Sequence, residues 1–176
     1  MNKYYSELLG ATVYSFENTI LFYGGIFSQW AECDFNIFIG GEEYSVNCAE
    51  QAMMLNKAHF FKDDAAFKKI LEYKDPRAQK AIGRTIKNFD ADKWDEVAFE
   101  LVVSANVAKF AANKSWRELL FLTYPLTLVE ASPTDRIWGI GYGENNPNIF
   151  QEKENWGRNL LGHALVLTRN VLLEKF

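Results

Sequence analysis

The chain has few of the residues that staple a fold or bind a metal. Its 176 residues include two cysteines, two histidines, four prolines and three methionines. Cys33 and Cys48 have no metal-ligand spacing, and two thiols are too few for a disulfide framework, which points to a reducing, cytoplasmic setting. His59 and His163 also lack partners at metal spacing, so no metal or other cofactor is expected. No apolar run approaches the length needed to span a bilayer, and the opening MNKYYSELLG lacks the apolar segment of a secretion signal. A membrane partner is therefore not expected. Positive charge is scarce as well: 19 Lys+Arg against 23 Asp+Glu leave a net charge of −4. A protein that grips many phosphates is usually basic, because counterion release supplies that binding. Tight non-specific binding to nucleic acid is not expected on this ground, and any nucleic-acid contact is expected to be local. Small metabolites or single modified nucleotides are favoured over long duplexes, although Arg84, Arg136 and Arg158 could hold a strand.

Apolar and aromatic residues are plentiful. They make up 48% and 15% of the chain, with 14 Phe, 8 Tyr and 5 Trp, enough for a full core and some rings to stack against a flat ligand. With no repeat, low-complexity tract or linker, residues 1–176 read as one domain.

The local signals predict a mainly α (α+β) fold, a single compact multihelical domain with a small β-sheet. Residues 1–18 carry little commitment, and Thr19–Phe22 reads as a strand ending at Tyr23-Gly24-Gly25. Gly40-Gly41 between two alternating runs, 35–39 and 42–45, signals a hairpin. Helices then dominate. Asn47 with Glu50 forms a potential capping box for a helix to about Phe61, and Asp63/Asp64 open a helix to about Tyr73. Asp75-Pro76 caps a third helix, ending near Gly83. Asp92 opens a long helix with Trp94, Val97, Ala98, Leu101, Ala105 and Ala108 on one face. Ser115 and Glu118 make a second capping box, and Pro125 ends that helix. A strand at 127–129, a loop over 132–158 rich in Gly, Asn and Pro, and a helix over 160–173 complete the chain.

Three constellations have chemical content. Glu50 and Lys57 are seven residues apart, so two helical turns place them within about 20° on one face. A buried lysine loses its proton more readily, and a neutral amine can attack an anomeric carbon. Against that, Glu50 also fits a cap and Lys57 a solvated position. The second constellation is ASPTDRIWGIGYG at 131–143. Asp135 can take a ribose hydroxyl or a proton, Trp138 offers a stacking face, and Gly139 and Gly141 allow close backbone approach. An ordered loop in which Asp135 caps a turn fits equally. Its glycines do not sit between a strand and a helix, so they form no dinucleotide fingerprint. The third is WGRNLLG at 156–162, where Asn159 before a helix and Arg158 suit phosphate, or an ordinary cap with a surface arginine. Arg84 after Gly83 is similarly open.

Together, FYGG (22–25), FSQW (27–30), AEQAMMLNKA (49–58), GR (83–84), NVAKF (106–110), LVEASPTDRIWGIG (128–141) and WGRNLLG (156–162) resemble the NADAR (YbiA-like) family over about residues 20–173. The resemblance implies a YbiA-like fold and hydrolysis of ribose C1–N bonds in a small nucleotide-like substrate. That substrate is a phosphorylated riboflavin-biosynthesis intermediate or ADP-ribosylated guanine in nucleic acid. It implies catalytic roles for Glu50, Lys57 and Asp135. It places Trp94, Trp138, Arg84, Asn159, Gly139 and Gly141 around the substrate. The alternative from another class is a non-catalytic module that binds ADP-ribose or NAD, in which Glu50 and Lys57 would be dispensable.

Overall fold

Two compact units form along this chain, one from residues 29–113 and the other from 1–28 together with 114–176. The computed structural model describes residues 2–3, 11–16 and 18–176, with side chains from Asn18 onward.

In the 29–113 unit, the hairpin forms where the sequence predicts it. Strands β4 (Phe35–Ile39) and β5 (Glu42–Val46) pair antiparallel, with Phe35 opposite Val46 and Ile39 opposite Glu42. Gly40 and Gly41 take φ values of 62° and 88°, which side chains resist, so the two-residue turn depends on them. Alternation turns Phe35, Ile37 and Ile39 inward and leaves Asn36 and Phe38 exposed. Helix α1 (Ala49–Phe60) is central, packed against α2 (Asp64–Glu72), α3 (Pro76–Gly83) and α4 (Ala91–Ala112). Ala49, Ala52, Leu55 and Ala58 are fully buried in it. A helix enclosed this way also takes its polar side chains inside, so Glu50 and Gln51 lie in the interior.

Helix α4 departs from its predicted face. Trp94, Ala98 and Ala105 are buried as expected, whereas Val97, Leu101 and Ala108 are only half-buried. The fully enclosed stripe instead takes in Val102, Asn106, Lys109 and Phe110. A sequence stripe weights apolar residues alone. Here the Asn106 amide finds interior acceptors in Gln29 Oε1 and the Val102 carbonyl, and Asn106 and Lys109 occupy the deepest positions in place of apolar residues.

In the other unit, strands β1 (Asn2–Lys3), β2 (Ala11–Phe16), β3 (Thr19–Gly24) and β6 (Thr127–Glu130) make a four-stranded sheet in the order β1-β2-β3-β6. The weak commitment expected of residues 1–18 therefore gives way to strands at 2–3 and 11–16; the other residues of that stretch up to 17 lie outside those described. β3 and β6 pair parallel, with Thr19 opposite Thr127 and Phe22 opposite Glu130. Leu21, Val129, Ala131, Ile140 and Ile149 form a core cluster under which Tyr142, Phe150 and Trp156 pack. Each fully buried aliphatic side chain contributes about 1.5–3 kcal/mol. Helix α5 (Lys114–Phe121) starts one residue before Ser115, so the predicted Ser115–Glu118 box does not open it. Helix α6 (Leu160–Leu173) packs on β6, and α5 packs on α6. Among the described residues no helix is long and apolar enough to cross a membrane.

Candidate active site

The N-terminus of α1 is capped differently from the sequence prediction. The cap residue is Cys48, whose Sγ accepts the Gln51 N–H at 3.4 Å. Gln51 reaches back, its Oε1 accepting the Asn47 N–H at 2.8 Å, and its amide donates to the Ile70 carbonyl at 2.9 Å. Cys48 and Gln51 thus take over the capping contacts predicted for Asn47 and Glu50, with the return bond reaching the residue before the cap. The Glu50 carboxylate, only 4% exposed, instead accepts the Trp30 indole N–H on Oε2 at 3.3 Å. A carboxylate is seldom buried without paying a desolvation cost, so this position asks for a chemical reason.

Lys57 lies two turns further along α1, half-buried. Its Nζ donates to the Gly83 carbonyl at 2.9 Å and sits 4.0 Å from the Phe89 ring centroid and 5.9 Å from that of Trp94. Burial lowers the Lys57 pKa from its ordinary value, and the Glu50 carboxylate partly offsets this. The two positions predicted to share a face thus hold a buried carboxyl group and, two turns on, a half-buried amine whose pKa burial lowers and Glu50 partly restores.

Trp94 and Arg84 join this group in different ways. Trp94 is buried in α4, its ring 6.3 Å from Phe60 and 6.4 Å from Phe61. It forms the apolar wall beside Lys57. Arg84 is the exposed C-cap of α3, one residue after the carbonyl that holds Lys57. A guanidinium there is available to an anionic ligand group.

The remaining predicted residues belong to the other unit. Asp135 caps a turn: its Oδ1 accepts the N–H groups of Ile137 and Trp138, each at 2.8 Å. Trp138 is half-buried, and its carbonyl accepts the Leu161 N–H at 3.0 Å, which ties the loop to the start of α6. Gly139 is packed against Ser132, Glu130 and the Asp135 carbonyl. Gly141, at φ 76°, lies beneath the Arg136 side chain. Both glycines thus serve close packing within the loop. Asn159 occupies the N-cap position of α6 in the left-handed region, φ 51°, and its side chain caps nothing. Its Oδ1 accepts the Glu130 N–H at 2.9 Å and its Nδ2 donates to the Leu128 carbonyl at 3.0 Å, stitching β6 to α6.

Residue-by-residue reading of the sequence overlooked several participants. Trp30, Gln29 and Phe89 touch Glu50 or Lys57, yet each lies in a segment with no helical register to connect it to α1. The Gln29 carbonyl accepts the Glu50 N–H at 2.8 Å, and its Oε1 accepts Asn106 Nδ2 at 3.0 Å. Lys109 is fully buried, and burial brings its pKa down to about 7 against the pull of Cys33 and Cys48. The placement of Lys109 in NVAKF, between core residues, was the one available signal. His59 and His163 are exposed, and no group of three or more His, Cys, Asp or Glu among the described residues could hold a metal ion. A cavity of about 410 Å³ lined by Glu32, Cys33, Asp34, Asn47 and Lys74 contains none of the predicted residues.

The fold and these motifs define a class. The NADAR domain model matches residues 18–173, and the chain belongs to that family. The Escherichia coli protein YbiA, solved by NMR, has the same fold: TM-score 0.70 at 24% identity, covering 92% of this chain and 89% of that one. Among curated proteins, an N-glycosidase of Acanthamoeba polyphaga mimivirus is 40% identical over 145 residues, 82% of this chain and 85% of its own. The Caenorhabditis elegans protein irg-1 is 36% identical over 128 residues, 71% of this chain and 60% of its own. An N-glycosidase of Nostoc punctiforme is 35% identical over 80 residues, 46% of this chain and 51% of its own.

Proposed function

We propose that this protein is a hydrolase of N-glycosidic bonds, cleaving a ribose C1–N bond in a phosphorylated nucleotide-like substrate. Membership of the NADAR family and the mimivirus and Nostoc N-glycosidases support the bond type. The observation that carries the reading is the Glu50–Lys57 face of α1. A buried carboxyl group lies on the same face as an amine whose proton is loosened by burial, while Cys48 and Gln51 supply the cap contacts of the helix.

Breaking a C1–N bond builds positive charge on the sugar and negative charge on the departing nitrogen. Glu50 takes a proton from the Lys57 ammonium, and the neutral amine adds to C1. The C1–N bond to the base breaks as the departing nitrogen gains that proton. Opening of the ribose ring leaves an iminium between Lys57 and C1. Water then adds to C1, the amine is expelled, and the free sugar is released. Trp94 shapes the apolar wall that keeps the amine desolvated, and Arg84 meets a phosphate. Asp135, Trp138 and Asn159 are proposed from their family positions alone. The substrate is a phosphorylated riboflavin-biosynthesis intermediate or an ADP-ribosylated guanine, from which the base leaves and the sugar phosphate is released, and the cytoplasm is the compartment that suits either.

One observation favours a second reading, a non-catalytic ADP-ribose or NAD-binding module. Lys57 donates to a carbonyl and lies over Phe89, a geometry that also suits a protonated lysine held for charge alone. The two readings separate in one experiment: product analysis with a phosphorylated riboflavin precursor, ADP-ribosylated guanine in DNA, and NAD, each with and without borohydride. Release of base with a sugar adduct trapped on Lys57 is the expected result. Binding of ADP-ribose with no base released from any of the three would overturn the enzyme reading.

A further inference from the structure

Beyond the pair on α1, two adjacent residues that precede the β4–β5 hairpin grip Glu50 at two points. The Gln29 carbonyl accepts the Glu50 backbone N–H at 2.8 Å, and the Trp30 indole N–H donates to Oε2 at 3.3 Å. Gln29 is itself fixed, its Oε1 accepting Asn106 Nδ2 at 3.0 Å from the buried face of α4. Adjacent residues thus hold the main chain and the side chain of one glutamate, with the anchor reaching a third segment.

The indole has little need of this contact. Trp30 is 40% exposed, so water is within reach of its ring, whereas Glu50 at 4% cannot be solvated. An N–H donor aimed at a carboxyl group favours its charged form and fixes the direction of its oxygens. We infer that Trp30 is a positioning residue for the proposed reaction, holding Glu50 as an oriented carboxylate so that it accepts the first proton. This rests on the N-glycosidase reading of the same site and adds to it the order of proton transfer. Among the described residues, the titratable and charged groups near Glu50 include Lys57 on the same helix face, the Cys48 thiol at the cap, Lys109 of α4, which acts electrostatically on that thiol, and Lys80 of α3, whose ammonium lies 5.7 Å from the Trp30 ring centroid.

The test uses the full chain. In Trp30→Phe the ring is kept and the donor lost. The acid limb of kcat is expected to move about one pH unit higher, with kcat about tenfold lower and KM within about twofold, as for loss of one charge-assisted hydrogen bond. In a Glu50→Gln background the same substitution should add no further loss. A measurement independent of turnover accompanies it. The indole ¹⁵N–¹H resonance of Trp30, identified by its absence in Trp30→Phe, should titrate with pH in the wild type and lose that titration in Glu50→Gln. An unchanged pH profile in an active Trp30→Phe enzyme, or an indole resonance indifferent to Glu50, overturns the inference. If the resonance titrates but the wild type releases no base from any of the three substrates, the N-glycosidase reading fails and takes the catalytic role of Trp30 with it, leaving only the pairing.

Discussion

Lys57 Nζ donates to the carbonyl of Gly83 at 2.9 Å, and Gly83 has no room for a side chain because the Met54 thioether lies against it. One residue of α3 thus fixes the position of the amine on α1 and the distance between the two helices. Gly83→Ala is expected to push Met54 aside or shift the carbonyl. Overpacking of this kind costs about 1–3 kcal/mol. Denaturant unfolding should show that loss, and kcat should fall with it as Lys57 loses its partner. Lys57→Arg, which keeps the charge but not the nucleophile, should lower kcat about 10²-fold or more with little change in melting temperature.

Glu50 and Gln51, neighbours on one turn, should separate chemistry from stability. Glu50→Gln leaves the Cys48–Gln51 cap intact, so thermal unfolding should stay near wild type while base release falls about 10²-fold or more. Gln51→Ala removes the acceptor for Asn47 N–H and the donor to the Ile70 carbonyl, at a cost of about 1–3 kcal/mol. Its activity per folded molecule should be close to normal. The reverse pattern would return Glu50 to a structural role.

Lys109 predicts how stability depends on pH. Its folded pKa of about 7 lies below the ordinary 10.5, so between those values the unfolded chain holds a proton that the folded chain has released. Stability therefore rises with pH from about 7 upward. Cys48 has the opposite sign: its thiol is raised to about 11 from 9.0, mainly by burial, so stability falls as pH climbs through that window. The melting temperature should increase between about pH 6.5 and 8.5 and flatten above 9. Lys109→Met should abolish the rise. A slope unchanged in that variant would place the titrating group elsewhere.

Asp135 and Asn159 call for paired substitutions. Asp135→Asn keeps an oxygen for the Ile137 and Trp138 N–H groups and should hold the loop, whereas Asp135→Ala should cost about 1 kcal/mol, as a lost cap does. A tenfold or greater fall in kcat with Asn at this position is the expected sign of a role beyond the turn. Asn159→Ala loses both links to β6 and leaves a non-glycine residue at φ 51°, so it should destabilise by about 2–4 kcal/mol. Urea unfolding of these variants checks each value.

Most of the secondary structure was legible because its signals are local. Asp75-Pro76 starts α3, Gly40-Gly41 turns the hairpin, and α6 falls on 160–173 as predicted. The cap of α1 was misplaced by one residue, since a thiol is a weak acceptor and Asn47 the better cap by propensity. Which candidate reads as structural was not legible in the sequence either. Asn159 beside a helix suggests a phosphate or a cap, and only the structure reveals its amide bonded to a strand some 30 residues away in sequence (Leu128 and Glu130).

The pair on α1 marks the boundary between the two kinds of information. The sequence by itself determined that Glu50 and Lys57 share a helix face, because helical periodicity needs nothing beyond the chain's own register. It also carried the ordered motifs that place the chain in its family. Tertiary structure alone decided that the face is buried, that a glutamine and a thiol take over the cap, and that Trp30, Gly83 and Phe89 converge on the two side chains. Desolvation and hydrogen bonding to distant segments arise only when helices close around α1, and these set the charge and reactivity of both groups.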